Sequence, residues 1–108
     1  VVQGQGDGKA RFAGLSQEGE SRKLGFDLPA TLARYCVTKG SIALNGISLT
    51  INELDEQNKD NTRLFVTIIP HTWEHTNLHE LKTGDEINVE VDVIAKYVER
   101  LCQPLIKL

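Results

Sequence analysis

Ser41-Ile42-Ala43-Leu44-Asn45-Gly46-Ile47-Ser48-Leu49-Thr50-Ile51-Asn52 sets two short strand-like runs on either side of an Asn-Gly pair. Asn and Gly both tolerate positive φ, which the tight turn of a two-residue hairpin demands at its two central positions. The stretch therefore predicts a β-hairpin with Asn45-Gly46 at the tip. Side chains alternate along a strand. On the second strand, Ile47, Leu49 and Ile51 form a core face, and Ser48, Thr50 and Asn52 form an opposite face of hydroxyls and an amide.

Outward from the hairpin, the same reading finds more strands. Lys9–Leu15 and Arg22–Leu28 flank a turn at Glu18-Gly19-Glu20, Leu64–Ile69 is β-branched and aromatic, and Glu86–Asp92 alternates at period two. Leu28–Val37 changes to helical spacing, with Pro29 in the first turn and Gly40 as C-terminal cap. Glu56–Asn61 is polar throughout and reads as a long loop. Pro70–Leu81 reads as one or two helical turns, and Val93–Leu101 as a helix that ends or kinks at Pro104. Six or so short strands, glycine turns and no long crossover helices favour a small antiparallel barrel over a parallel α/β sheet.

Composition narrows function. The chain has 108 residues, 40% hydrophobic and 25% charged, with a formal net charge of −3. That is ordinary globular composition for one domain. The acidic balance argues against a nucleic-acid module or an anionic membrane surface, both of which want a basic footprint. No apolar run approaches the length of a bilayer span. Cys36 and Cys102 are expected as reduced, buried thiols in a cytoplasmic protein. No secretory signal pattern is present. The chain opens on Val1-Val2-Gln3-Gly4 in what reads as mid-strand, so a preceding segment is expected.

Several residues invite chemistry, each with a plainer reading beside it. Gly4, Gly6 and Gly8 suggest a phosphate loop, but a strand follows them where such a loop needs a helix N-terminus. His71, His75 and His79 recur at spacing four and would share a helix face, yet no partner cysteine accompanies them and a solvated loop explains them as well. Ser48 and Thr50 form either an ordinary solvent face or a row of hydroxyls for a polyol. Lys39 is a partner for a helix C-terminus or a cation for a ligand. Asp92 is an N-cap or a polar group at a subunit edge. Asp27 and Asp55 carry no distinguishing signal.

Taken together, four segments resemble riboflavin synthase. They are Lys39–Thr50, Ile69–Leu78, Gly84-Asp85 with Asn88–Asp92, and Ala95–Arg100. The opening Val1–Gly8 resembles the first strand of that family's second barrel. The resemblance implies a mainly β fold, a small closed six-stranded antiparallel Greek-key-like barrel with short helices. Residues 1–92 would form the lumazine-binding barrel and residues 93–108 a C-terminal helix for oligomerisation, a homotrimer in the family. It implies dismutation of two 6,7-dimethyl-8-ribityllumazine molecules to riboflavin and 5-amino-6-(ribitylamino)uracil, without metal or organic cofactor. The site is completed by another barrel, supplied by a missing N-terminal half.

Residue by residue, the resemblance places Gly4, Gln5 and Gly6 against the pteridine ring and Lys39 at a lysine contact. It places Ser48, Leu49 and Thr50 along the ligand, and Ile69, Pro70, His71, Thr72, Trp73 and Glu74 on a second wall. Ser48, Asp92 and Asn45 are the candidates for catalysis. Gln5 stands where the family has histidine, Gly6 where it has a branched residue, and Asn45 where its second barrel has aspartate. A neutral amide cannot act as a general base. A non-catalytic lumazine- or flavin-binding protein on the same fold is therefore the alternative reading, and a barrel with a merely solvated hydroxyl face is a third.

Overall fold

Asn45 and Gly46 adopt φ of 51° and 82°, and the strands on either side pair in register from Leu44↔Ile47 to Ser41↔Thr50. The hairpin predicted from the Asn-Gly pair is thus present as β3 (Ser41–Leu44) and β4 (Ile47–Asn58). The computed structural model describes residues 7–92 together with Tyr97, Arg100 and Leu101. Around the hairpin lie β1 (Gly8–Glu18), β2 (Ser21–Pro29), β5 (Asn61–Ile68) and β6 (Glu86–Val91). Two short helices, α1 (Ala30–Ala33) and α2 (Pro70–His75), and a 3-10 turn at Asn77–Glu80 complete the order.

All neighbouring strands are antiparallel, and the order β1-β2-β5-β4-β3-β6 closes into a barrel. Strands β3, β4 and β5 run as consecutive hairpins, and β6 returns by a long connection to lie beside β3, which is a Greek key. The six-stranded mainly β expectation holds. Closure gives every strand a neighbour on both sides along part of its length, which limits the sheet edge left to template aggregation. Alternation fills the interior: Leu24, Phe26 and Leu28 of β2, Leu64, Val66 and Ile68 of β5, and Ile87, Val89 and Val91 of β6 are all buried. Phe12 and Phe26 meet with ring centroids 5.3 Å apart in a tilted arrangement, a geometry that suits aromatic quadrupoles. Leu32 of α1 plugs one end, so close to Gly8 that a Cβ on that glycine would come within 2.9 Å of its Cδ1. Leu78 of the 3-10 turn joins the core from the β5–β6 connection.

Three local expectations are corrected. The helix predicted over Leu28–Val37 shrinks to Ala30–Ala33. Pro29 still belongs to β2, opposite Asn61, and Leu32 and Cys36 reach the core from a short helix followed by a turn. Gly40 is not the left-handed cap; Lys39 takes that conformation, with φ of 74°, and the Gly40 N–H donates to the Val37 carbonyl at 2.9 Å. The predicted loop over Glu56–Asn61 is a strand hairpin. Glu56 pairs with Thr62 and Asn58 with Asn61, and the Asn58 side chain accepts from the Asp60 N–H at 2.8 Å to tighten the turn. That hairpin faces solvent on both sides, so it carries no apolar alternation to read.

Tyr97, Arg100 and Leu101 are helical; the rest of the helix predicted over 93–108, and Cys102, lie outside the described residues. Cys36 is a buried free thiol whose pKa burial pushes up to about 11, so it stays protonated and inert at neutral pH. No helix among the described residues is long and apolar enough to cross a membrane.

Candidate functional site

Register places the hydroxyl face of β4 beside two other strands. Ala43 lies opposite Ser48 on one side and Glu90 on the other, so Ser48, Ala43 and Glu90 form one row across β4, β3 and β6. One step along, Thr50 lies opposite Ser41, and Asp92 follows Val91, the partner of Ile42. The small Ala43 side chain between Ser48 and Glu90 leaves a groove of about 260 Å³ lined by Ser41, Ile42, Ala43, Ser48, Glu90, Val91 and Asp92. Ser48 and Asp92, two of the three catalytic candidates, therefore share one groove. Nothing in the sequence distinguishes Glu90. It reads there as the polar phase of an alternating strand, and only the β3–β6 register reveals what it faces.

Beside this groove the barrel wall opens. Pairing between β4 and β5 stops at Ile51↔Val66, although β4 starts at Ile47 and β5 runs to Ile68. A bulge between Ile51 and Glu53 accompanies the split, and the Asn52 amide donates to the Thr67 hydroxyl there. The β5-facing edge of Ile47–Thr50 thus has no ladder partner among the described residues. Exposed backbone N–H and C=O groups of this kind are obligatory hydrogen-bonding groups that water or a ligand must satisfy. Leu49 packs on the core from this strand and holds the backbone in place while Ser48 and Thr50 face outward.

None of the second-wall residues Ile69–Glu74 lines this groove. Ile69 is exposed at the start of α2, where an apolar side chain is available to a ring. Pro70 occupies the first turn of α2, where its missing N–H costs nothing. The carbonyl of Thr72 accepts from the Thr76 hydroxyl at 2.7 Å. Trp73 packs elsewhere: the Arg22 guanidinium lies 4.5 Å from its ring centroid, and His79 approaches at 6.1 Å. Glu74 lines a separate cleft of about 530 Å³ with Asn45, Ile47 and His75.

Asn45 holds the turn: its N–H donates to the Asn88 carbonyl at 2.8 Å, and its Oδ1 accepts from the Asn88 N–H at 2.9 Å. Lys39 is exposed, two residues before Ser41, in a left-handed conformation uncommon for a non-glycine residue. Gly4, Gln5 and Gly6 lie outside the described residues.

The histidines do not converge. His71 and His75 stack at 4.1 Å, the His75 Nδ1 lies 2.8 Å from the His71 carbonyl, and the His79 Nδ1 lies 3.1 Å from the Trp73 carbonyl. Among the described residues no group of three or more His, Cys, Asp or Glu is placed to hold a metal ion.

The opposite side of the barrel is paired and charged. Glu86, Arg11, Asp27, Arg63 and Asp55 follow one another in register across β6, β1, β2, β5 and β4, with signs alternating. Arg63 grips Asp27 with two bonds, 2.8 Å from Nε and 3.2 Å from a terminal nitrogen. That hydrogen bonding holds the Asp27 carboxyl below its ordinary pKa, against the opposing effect of partial burial.

Comparison with known proteins identifies the family. Residues 2–92 match the lumazine binding domain family. The riboflavin synthase of Mycobacterium tuberculosis is 41% identical over 101 residues, covering 94% of this chain and 49% of that protein. That of Brucella abortus is 37% identical over 103 residues, covering 95% and 48%. The chain spans about half the length of the curated relatives it matches. Among solved structures, LumP complexed with 6,7-dimethyl-8-(1'-D-ribityl) lumazine superposes with a TM-score of 0.73 at 24% identity, over 85% of this chain and 49% of that one, a likeness of fold. LumP complexed with flavin mononucleotide gives 0.69 at 25% identity, over 85% and 49%. With the family match spanning all of the described barrel strands, the chain belongs to the lumazine binding domain family.

Proposed function

We propose that this chain is the second barrel of a riboflavin synthase and binds 6,7-dimethyl-8-ribityllumazine on the open side of its wall. The observation that carries this reading is the conjunction at β4. An unpaired backbone edge along Ile47–Thr50 lies beside the hydroxyls of Ser48 and Thr50. A pteridinedione presents amide-like donors and acceptors at its edge, as a strand does, and can pair with such a backbone. Its ribityl chain can exchange hydrogen bonds with Ser48 and Thr50, and Ile69 offers an apolar surface to the ring. Lys39, exposed and two residues before Ser41, is the cation nearest along the chain.

The reaction supported is dismutation. The C7 methyl of one bound lumazine loses a proton, the resulting carbanion attacks a second lumazine, and transfer of a four-carbon unit gives riboflavin and 5-amino-6-(ribitylamino)uracil. Of the two carboxylates that line the groove, Asp92 is the one the family resemblance marks, and we assign it as the proton acceptor; the Ser48 hydroxyl lines the same space. Asn45 serves by position, since its side-chain oxygen is engaged in fixing the turn. Two pteridines must meet, so one barrel presents half a site. The other face comes from a first barrel, in keeping with relatives about twice this length. A cytoplasmic homotrimer built by a C-terminal helix fits the same reading.

A carrier that binds without turnover is the second reading, favoured by Gln5, Gly6 and Asn45. One experiment separates the two. The chain is mixed with 6,7-dimethyl-8-ribityllumazine, alone and with a first barrel, and riboflavin is followed by absorbance. Riboflavin forming in proportion to the complemented chain supports the enzyme. Tight binding without riboflavin in either mixture selects the carrier, and no binding at all contradicts both.

A further inference from the structure

Glu90 is the feature of the groove that this function leaves without a role. It projects outward from β6 and is half-buried, and its side chain makes no hydrogen bond or ion pair with any described residue. Across Ala43 it faces Ser48, the residue assigned to the ribityl chain. The groove's lining includes two carboxylates, Glu90 and Asp92, and no lysine or arginine among the described residues. Lys39 is the nearest cation along the chain, but it is exposed and not part of the lining.

We propose that Glu90 is a specificity determinant that admits a free polyol chain and turns away its phosphorylated form. The inference rests on the ribityl-ligand reading of the groove. An ionised carboxylate only accepts hydrogen bonds, and it accepts them well from hydroxyls. It therefore rewards a chain that ends in a hydroxyl. A phosphate monoester carries between one and two negative charges near neutral pH. Placed in the same groove, it brings no proton to Glu90 over most of its population and meets two half-buried carboxylates of like charge, whose partial exclusion from water strengthens the repulsion. Ala43 matters to this arrangement because a larger residue would separate Ser48 from Glu90. Asp92 adds to the field, but it has an interaction of its own, so Glu90 is the carboxylate left available to the ligand.

The test titrates the 108-residue chain with riboflavin and with riboflavin 5'-phosphate, following flavin fluorescence at low and high salt. Glu90→Gln keeps shape and removes charge, and Glu86→Gln, at the other end of β6, is the control. Wild-type protein should favour riboflavin by about tenfold at low salt, and screening by added salt should shrink that ratio. Glu90→Gln should bring the ratio to about threefold or less, mainly by improving binding of the phosphorylated ligand, while Glu86→Gln leaves it unchanged.

Equal affinities in the wild type, or a ratio untouched by Glu90→Gln, would overturn the proposal while riboflavin binding kept the ribityl reading intact. Failure of the wild type to bind riboflavin and 6,7-dimethyl-8-ribityllumazine alike would instead bring down that reading, and this proposal with it. If Glu90→Gln folds poorly, the salt series on the wild type still decides, because a preference for riboflavin that salt does not shrink is not electrostatic and overturns the proposal.

Discussion

The two sides of this barrel wall are built to different rules. Across β6, β1, β2, β5 and β4, one row of outward side chains alternates in charge and the ladders between β1, β2 and β5 are long. Across β6, β3 and β4, the outward side chains are small or hydroxylated, a carboxylate stands without a partner among the described residues, and the β4–β5 ladder stops short. Both sides share one core. The difference shows where this fold places its stability and where it leaves hydrogen-bonding capacity for something else. Satisfied polar groups hold a structure, and solvated ones can be exchanged for a ligand.

The sharpest way to break the comparison is to damage what the sides share. Phe26→Ala removes a side chain with no exposure that packs against Phe12. It should cost about 3–5 kcal/mol, the usual range for a buried aromatic, and both the urea midpoint and ligand binding should fall together. A loss below about 1 kcal/mol would contradict so closely packed a core.

Next in size, Arg63→Ala probes the paired side alone. It leaves Asp27 partly buried without its two bonds, and about 1–2 kcal/mol of stability should go at neutral pH, solvent access to both side chains keeping the figure modest. The pH dependence has a definite sign. Because the folded-state pKa of Asp27 is lowered, its contribution is present above the unfolded carboxylate value of about 4 and is lost as pH falls through the folded value. Urea melts of wild type and variant should therefore converge toward low pH. A gap that widens on acidification would contradict the pairing. Ligand affinity should not change.

Ser48→Ala reverses the pattern. With one net hydrogen bond lost, affinity for 6,7-dimethyl-8-ribityllumazine should weaken by about 1 kcal/mol, while stability stays within about 0.5 kcal/mol because the hydroxyl faces solvent. Calorimetric titration and urea melts on the same samples check both halves. The smallest expected effect is at Cys36. A thiol whose pKa burial lifts to about 11 should react with iodoacetamide far more slowly than free cysteine at neutral pH, without regard to ligand. Rapid alkylation at Cys36 itself, located by peptide mapping so that Cys102 is counted separately, would show that the end of the barrel near α1 opens.

The contrast between sides also explains what sequence could and could not reveal. Asn45-Gly46 and the alternation of Glu86–Asp92 are local signals, and each leads to the right element. So does the outward phase of Ser48 and Thr50. The Lys59-Asp60 hairpin is hidden because Asp55–Asn61 is polar on both faces and so carries no period. The short α1 reads too long because Leu32 and Cys36 reach the core by a turn that mimics helical spacing. The charge row of Glu86, Arg11, Asp27, Arg63 and Asp55 depends on four registers, two within hairpins and two between strands far apart in sequence, and no single segment shows it. Glu90 stays hidden for the same reason, and so does the early end of the β4–β5 ladder.

The central claim is that a ribityl pteridine binds the open edge of β4. Amide hydrogen exchange resolved along the chain, with and without 6,7-dimethyl-8-ribityllumazine, tests it most directly. Saturable protection should concentrate at Ile47–Thr50 and at the start of α2, with β1 and β2 unchanged. Saturable binding with protection confined to β1 and β2, or no protection at saturating ligand, would contradict it.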